Sequence, residues 1–253
     1  MTLHKIYEWM LWISFPLAII IFITLLFVTA PYGRHKRSGW GRSIPDWLGW
    51  FIMESPSPTV FILCFWYGDV QKTIPLLVFF IMWESHYFHR AFIYPFQIAG
   101  KKNTMPISVV LMGVFFNLGN AYLNGGNIYM FSERYSSAWL NSPQMIVGTA
   151  LFVSGFIINK WADGTLRNLR DNGKNNYQIP YGGLYQWISC PNYFGEIIEW
   201  IGWAIATWSL PGLAFAVWTF ANLAPRAQAN HRWYQQRFSN YPENRKAFIP
   251  GIW

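Results

Sequence analysis

The sequence predicts an all-α integral membrane protein with seven transmembrane helices, and three observations carry that expectation. Hydrophobic residues make up 53% of the 253 residues and charged ones only 12%, against about 25% charged in an ordinary soluble domain. Met10 to Ala30 is an uncharged apolar run of about 20 residues, enough to cross a ~30 Å hydrocarbon core. The basic residues, which give a net charge of +8, lie between apolar runs and form no continuous patch. That arrangement fits a membrane topology signal and argues against a nucleic-acid partner.

In chain order, the first span is Met10–Ala30, too long for a signal-peptide core and without a small-residue cleavage motif. Further spans are expected at Trp47–Tyr67, Ile74–Phe96, Met105–Asn124, Pro143–Trp161, Phe194–Trp208 and Pro211–Leu223. The last two are short, and Ser209-Leu210-Pro211-Gly212 is a turn signal that makes them an antiparallel hairpin. With seven spans, sixteen of the nineteen Lys and Arg residues fall on one side, Arg90 among them; only Lys5, Lys72 and Arg134 fall on the other. Basic residues accumulate in cytoplasmic loops, so the N-terminus is expected outside and the C-terminus in the cytoplasm. Ala224 to Trp253 is not a span; Arg226, Asn230, Tyr234 and Arg237 follow a helical stripe ended by Tyr241-Pro242. It reads either as an interfacial amphipathic tail or as a phosphate-contacting segment.

Polar residues inside apolar segments are costly, so they mark candidate sites. Asn192, Glu196 and Glu199 recur at i, i+4 and i+7 and share one helical face. Asn159, Asp163 and Arg170 form a second stripe, and the Tyr177–Tyr185 loop returns the chain to the first, so the two could clasp one ligand. Glu54 lies before Pro56 and Pro58, which should distort the helix and widen a pocket; the alternative is a simple ion pair with another helix. Tyr87 and Arg90 share a face, and His86 and His89 another. Five histidines are too few for the clusters of a membrane di-iron enzyme, so no metal is expected. Glu84 reads as a hydrogen-bonded helix residue, and Cys64 and Cys190 as packing residues. There is no Gly-rich dinucleotide fingerprint and no P-loop, so a dinucleotide would have to bind among the helices.

Several runs together resemble the steroid 5α-reductase family, of the steroid-reducing type. They are Tyr87-Phe88-His89-Arg90, Ile179-Pro180 with Gly182-Gly183-Leu184, Asn192 with the block Gly195 to Gly202, Ala206 to Pro211, and the terminal Tyr241-Pro242 with Arg245-Lys246-Ala247. The resemblance covers most of the chain from Trp50 onward. It implies an NADPH-dependent membrane enzyme that reduces the C4–C5 double bond of 3-oxo-Δ4-steroids. It also implies that Glu54 and Tyr87 hold the substrate ketone, with Trp50 beside the steroid. Asn159, Asp163, Arg170, Asn192, Glu196, Arg226 and Tyr234 would contact NADPH, as would Tyr32 and Arg34 of the first basic loop. Gln178, Asn230 and Met112 stand where the family carries Arg, His and Arg.

The expectation is therefore one membrane reductase domain over residues 1–253. Helices in 1–100 carry the substrate carbonyl site, and 101–253 carry the NADPH site. The partners would be a lipophilic steroid-like substrate and membrane lipid, with no nucleic acid and no metal, for a protein acting as a monomer. The membrane would be the inner membrane in a bacterium or the endoplasmic reticulum in a eukaryote. Reductases of other lipid alkenes, such as polyprenols or enoyl-CoA, and isoprenylcysteine-type methyltransferases remain competing classes. A transporter would show symmetric repeats, and none is visible.

Overall fold

A computed structural model describes residues 3–98, 103–171 and 177–252, the side chains of Leu3, Arg170 and Asp171 excepted. The described chain is mainly helical, with hardly any strand. Its elements run α1 (Leu3–Phe27), β1 (Ser43–Pro45), α2 (Asp46–Glu54), α3 (Pro56–Tyr67), α4 (Ile74–Phe88), α5 (Tyr94–Gln97), β2 (Thr104–Pro106), α6 (Ile107–Gly126), α7 (Pro143–Asp171), α8 (Pro191–Thr207) and α9 (Leu210–Arg237). Among the described residues, four helical stretches are long and apolar enough to span a membrane: His4–Phe27, Asp46–Tyr67, Ile107–Phe131 and Pro143–Leu169. Of the other expected spans, α4 has 15 residues and α8 has 17.

The expectation of an all-α chain needs one small correction. β1 and β2 form a two-stranded antiparallel ladder, Ser43 opposite Pro106 and Pro45 opposite Thr104. Ile44 and Met105 each precede a proline, which pushes a residue into extended conformation. Asp46 N and Ile107 N then begin their helices by bonding Asn103 O and Arg42 O. The ladder thus fixes the starts of α2 and α6 side by side.

The prolines after Glu54 interrupt the helix only mildly, because Ser55 keeps helical angles (φ −60, ψ −29). A wider disturbance follows α4. His89–Ile93 form a π-helical turn before α5, where Pro95 has no N–H to offer the Ala91 carbonyl and the ladder loosens upstream. Arg90, expected in a cytoplasmic loop, sits in this turn with its side chain 13% exposed.

The expected link between α8 and α9 is present but shorter than Ser209–Gly212, because Leu210 already begins α9 and only Trp208 and Ser209 connect the two helices. Trp208 takes a left-handed conformation (φ 46), the Ser209 hydroxyl caps α9 by accepting from Gly212 N, and Arg134 donates to the carbonyls of Thr207 and Trp208. The tail helix, however, is no separate element. Pro225 is accommodated inside α9, which runs unbroken to Arg237 and carries the Arg226–Tyr234 stripe inward.

An aromatic core joins α3, α4, α6, α8 and α9. Trp83, Trp200, Trp203 and Phe79 are buried in it, Phe61 stacks on Trp83 at 4.5 Å, and Trp200 meets Phe215 at 4.1 Å. The tightest helix contact is the antiparallel α7–α8 pair. Gly148 and Gly155 on α7 face Gly202 and Gly195 on α8, each glycine two turns from its mate. A Cβ at Gly155 would lie 2.3 Å from Glu199 N, at Gly195 2.6 Å from Asn159 N, and at Gly202 2.3 Å from Phe152 N. Small residues let backbones approach this closely, which is how helices associate where lipid removes the hydrophobic drive.

Gly155→Ala is accordingly expected to destabilise the detergent-solubilised protein by about 1–3 kcal/mol through overpacking, read as a lower midpoint of thermal unfolding. Gly164→Ala on the same helix, where the nearest atom would be a flexible Arg167 nitrogen at 3.7 Å, should leave the midpoint unchanged or raise it.

Candidate active site

The α7–α8 seam sets the two polar stripes against each other. Asn159 donates through Nδ2 to Asn192 O at 3.0 Å and to Glu196 Oε2 at 3.3 Å, while Asn192 Nδ2 donates to Asp163 Oδ1 at 3.0 Å. The four residues are one cross-helix network. It forms part of the wall of a cleft enclosing about 1210 Å³ of empty space, open solvent included.

Of the residues singled out from sequence, Tyr32, Arg34, Trp50, Asp163, Asn192, Glu196, Arg226 and Tyr234 line this cleft. Asn159 stands directly behind it and is buried. Arg170 belongs to α7, but its side chain lies outside the described residues. On the tail side, Arg226 Nε donates to the Tyr193 hydroxyl at 2.8 Å, and its guanidinium lies 3.6 Å over the Tyr32 ring. Arg34 is held between Tyr177, Trp233 and Tyr234 at 5.1, 4.8 and 4.7 Å. Both arginines therefore rest on aromatic faces, a setting that orients a cation without neutralising it.

His35 and Asn230 share a hydrogen bond of 2.9 Å. Burial, with Arg226, Arg34 and Arg37 nearby, holds the His35 imidazole below its usual pKa, so it stays neutral at pH 7. The excess positive charge on this side therefore belongs to the arginines.

Three buried atoms bordering the cleft have no hydrogen-bond partner among the described residues: Arg34 Nη1, Arg226 Nη1 and Asn159 Oδ1. A buried unsatisfied donor costs about 1–3 kcal/mol, more when charged. Two guanidinium donors and an amide oxygen suit a ligand carrying both phosphate and hydroxyl or amide groups, so these residues fit a phosphorylated dinucleotide.

Beyond the cleft, at the C-terminal end of α2 and in α4, lie Glu54 and Tyr87, both buried. Asn117 Nδ2 donates to Glu54 Oε2 at 3.3 Å and to Met53 O at 2.8 Å. Tyr87 has Trp83, His86 and Trp200 rings at 5.0, 5.0 and 5.8 Å, and its polar neighbours are Glu54, Ser57 and Asn120.

Arg90 joins the two regions. Its Nε lies 3.7 Å from Glu54 Oε1, Nη1 lies 3.9 Å from Asp163 Oδ2, and Nη2 lies 3.9 Å from Glu196 Oε2. Its guanidinium also sits over Trp50 and Tyr94 at 4.6 and 4.9 Å. Sequence reasoning put Arg90 on the face of Tyr87 but did not assign it to the site; the usable signal was three acids inside apolar helices with no cation assigned to them. Tyr193 was missed too, because it falls about 100° round the helix from Asn192. The simple ion pair considered for Glu54 does exist, though at a length that leaves its oxygens available.

Two expectations fail. Glu199, placed on one face with Asn192 and Glu196, turns away from the cleft and pairs with His86 Nδ1 at 2.8 Å, both side chains buried. It lies a turn deeper along α8, where α4 rather than solvent is the neighbour. Glu84 has no hydrogen bond at its buried Oε1 among the described residues. His86 and His89 also part company, His89 Nδ1 standing 2.9 Å from Lys160 Nζ. Cys64 and Cys190 are free and buried, as packing residues would be.

Comparison with known proteins places this architecture. The signature of the family described as 3-oxo-5-alpha-steroid 4-dehydrogenase matches residues 103–253. Steroid 5-alpha-reductase DET2 of Arabidopsis thaliana is 39% identical over 238 residues, covering 91% of this chain and 90% of that protein. Steroid 5-alpha-reductase DET2 of Gossypium hirsutum is 40% identical, covering 99% and 98%. The 3-oxo-5-alpha-steroid 4-dehydrogenase 1 of Bos taurus is 39% identical, covering 92% of each. With relatives of this similarity along nearly its whole length, the chain belongs to the 3-oxo-5-alpha-steroid 4-dehydrogenase family.

Proposed function

We propose that the protein reduces the C4–C5 double bond of 3-oxo-Δ4-steroids with hydride from NADPH, giving 5α-reduced 3-oxosteroids. The observation that carries this reading is Arg90, which pairs with the acid beside Tyr87 and with the acids of the cleft at once, while Lys160 adds positive charge to the same group. One charge centre then serves both a dry carbonyl site and a polar dinucleotide site.

NADPH would be held by Arg34 and Arg226 at its phosphates, with Tyr32, Tyr234 and Arg170 alongside. Asn159, Asp163, Asn192 and Glu196 would take its hydroxyl and amide groups. When bound, the reduced nicotinamide supplies the hydride. The chain's own contribution is at the other end of the enone. Reduction at C5 moves negative charge onto the 3-oxo oxygen, and a hydroxyl aimed there stabilises that charge more than it stabilises the ground-state ketone. Tyr87 is the donor, Glu54 orients it or shares its proton, and Trp50 borders the steroid. A proton from the medium completes the reduction at C4. Trp83, Trp200 and their neighbours exclude water, so the donor acts in a low dielectric.

We further propose seven spans with an outer N-terminus and a cytoplasmic C-terminus. α4 and α5 would cross with the π turn between them, and α8 with the apolar half of α9 would form the final hairpin. The cleft would then open to the cytoplasm, where the cofactor is, while the aromatic pocket faces the bilayer that dissolves the substrate.

Three outcomes are expected. Purified protein should oxidise NADPH only when a 3-oxo-Δ4-steroid or related enone is added, measured as absorbance loss at fixed protein; turnover of an isolated polyprenol alkene with no enone turned over would replace this reading. Glu196→Ala should weaken NADPH binding to folded protein in detergent at least tenfold, and wild-type affinity there would return Glu196 to a purely structural role. Tyr87→Phe should lower kcat and kcat/KM together by about 10²–10³-fold, the loss expected when one oxyanion donor is removed, whereas a packing residue would leave kcat nearly unchanged.

A further inference from the structure

Tyr87 is 3% exposed and sits against a polar chain on α6 that neither stripe predicts. Trp203 Nε1 donates to Asn124 Oδ1 at 2.8 Å, and Asn124 Nδ2 donates to Asn120 Oδ1 at 3.1 Å. Asn124 Nδ2 also donates to Asn120 O at 3.0 Å. An indole nitrogen can only donate. The Asn124 oxygen must therefore face Trp203, its amide nitrogen must face Asn120, and the Asn120 oxygen is consumed as acceptor. The usual ambiguity between amide oxygen and nitrogen is thereby removed at both asparagines.

The chain ends on Asn120 Nδ2. That nitrogen is buried, on a residue 7% exposed, and has no hydrogen-bond partner among the described residues. The Tyr87 hydroxyl is the polar group within its reach, and Ser57 neighbours the same hydroxyl. Ser57 Oγ is likewise buried without a partner among the described residues. Asn117, one turn earlier on α6, is already spent on Glu54 and Met53, so the α6 asparagines divide between the two carbonyl-site residues.

We propose that Asn120 is a positioning residue for Tyr87: its amide N–H, aimed by the Trp203–Asn124 relay, donates to the Tyr87 oxygen. A tyrosine oxygen that accepts from one side turns its own proton to the other, toward the ketone. Donation to that oxygen also stabilises it as its proton is drawn to the developing enolate, because hydrogen bonds polarise one another in a low dielectric. This inference rests on the reading of Tyr87 as carbonyl donor, and it adds a residue that acts through Tyr87 without touching substrate.

A double-mutant cycle separates the two. Asn120→Leu should lower kcat roughly tenfold, the scale of one well-placed hydrogen bond, with the NADPH dissociation constant unchanged. In a Tyr87→Phe background the same substitution should change kcat by less than about twofold, because the group it acts on is gone. Asn124→Leu, which frees the Asn120 amide to rotate, should give a smaller loss that also vanishes in that background. Asn120→Ala carries the same cycle if the leucine variant does not fold, with NADPH binding reporting folding. Wild-type kcat in Asn120→Leu, or an equal loss in both backgrounds, would overturn the inference while leaving Tyr87 as donor. Wild-type kcat in Tyr87→Phe alone would overturn the reading beneath it.

Discussion

Four glycines at the α7–α8 seam set the geometry on which the rest of the site depends. With a Cβ at Gly155 or Gly195 meeting backbone at 2.3 or 2.6 Å, the two helices can lie this close only if those positions carry no side chain. The approach lets a side-chain amide on α7 reach a backbone carbonyl on α8, Asn159 to Asn192, and an α8 amide reach back to Asp163. Polar bonds across a helix pair inside apolar surroundings then add to the van der Waals contact that brought the helices together. The stripes are thus ordered before any ligand arrives, and pre-organised groups lose little freedom on binding.

Charge imposes the second constraint. Glu54, Asp163 and Glu196 come from three helices and converge on Arg90 at 3.7 to 3.9 Å. Buried acids are costly unless paired, yet a short bidentate pair would occupy the oxygens that a substrate or cofactor needs. A guanidinium shared among three carboxylates and supported by the faces of Trp50 and Tyr94 supplies field without consuming any acid completely. Its placement depends on the π turn at His89–Ile93, which re-aims the end of α4 relative to a regular helix. The same loosened ladder that Pro95 forces is therefore what carries Arg90 into the cleft.

What the sequence disclosed follows from how local the information is. Spacing of i, i+3 and i+4 puts Asn159 with Asp163 and Asn192 with Glu196 on faces without any knowledge of the fold, and the structure joins those two faces. The Arg226–Tyr234 stripe was legible for the same reason, although the helix carrying it was cut short at Leu223, where apolar content falls but hydrogen bonding continues through Pro225. Periodicity says nothing about which helix lies opposite. Glu199 therefore shared a face with Glu196 in sequence while its neighbour in space is His86, and Arg90, whose partners are at positions 54, 163 and 196, had no local mark. The β1–β2 ladder was hidden similarly: three residues beside a proline carry no strand pattern, and only their pairing across about sixty residues makes them one.

The aromatic core explains why the cleft and the carbonyl site can differ so sharply within one small bundle. Trp83, Trp200 and Trp203 fill the space between α4, α8 and α9, and Trp203 Nε1 donates to Asn124 Oδ1. Trp83 Nε1 is buried without a hydrogen bond among the described residues, so the wall behind Tyr87 is dry on one side and polar on the other. The dry side keeps water from competing for the hydroxyl. The polar side, Glu54 with Asn117 and the asparagines beyond it, fixes which way the hydroxyl points. A donor in such a setting needs no reorganisation when charge appears on the group before it, which is the condition under which a single hydrogen bond contributes most to a rate.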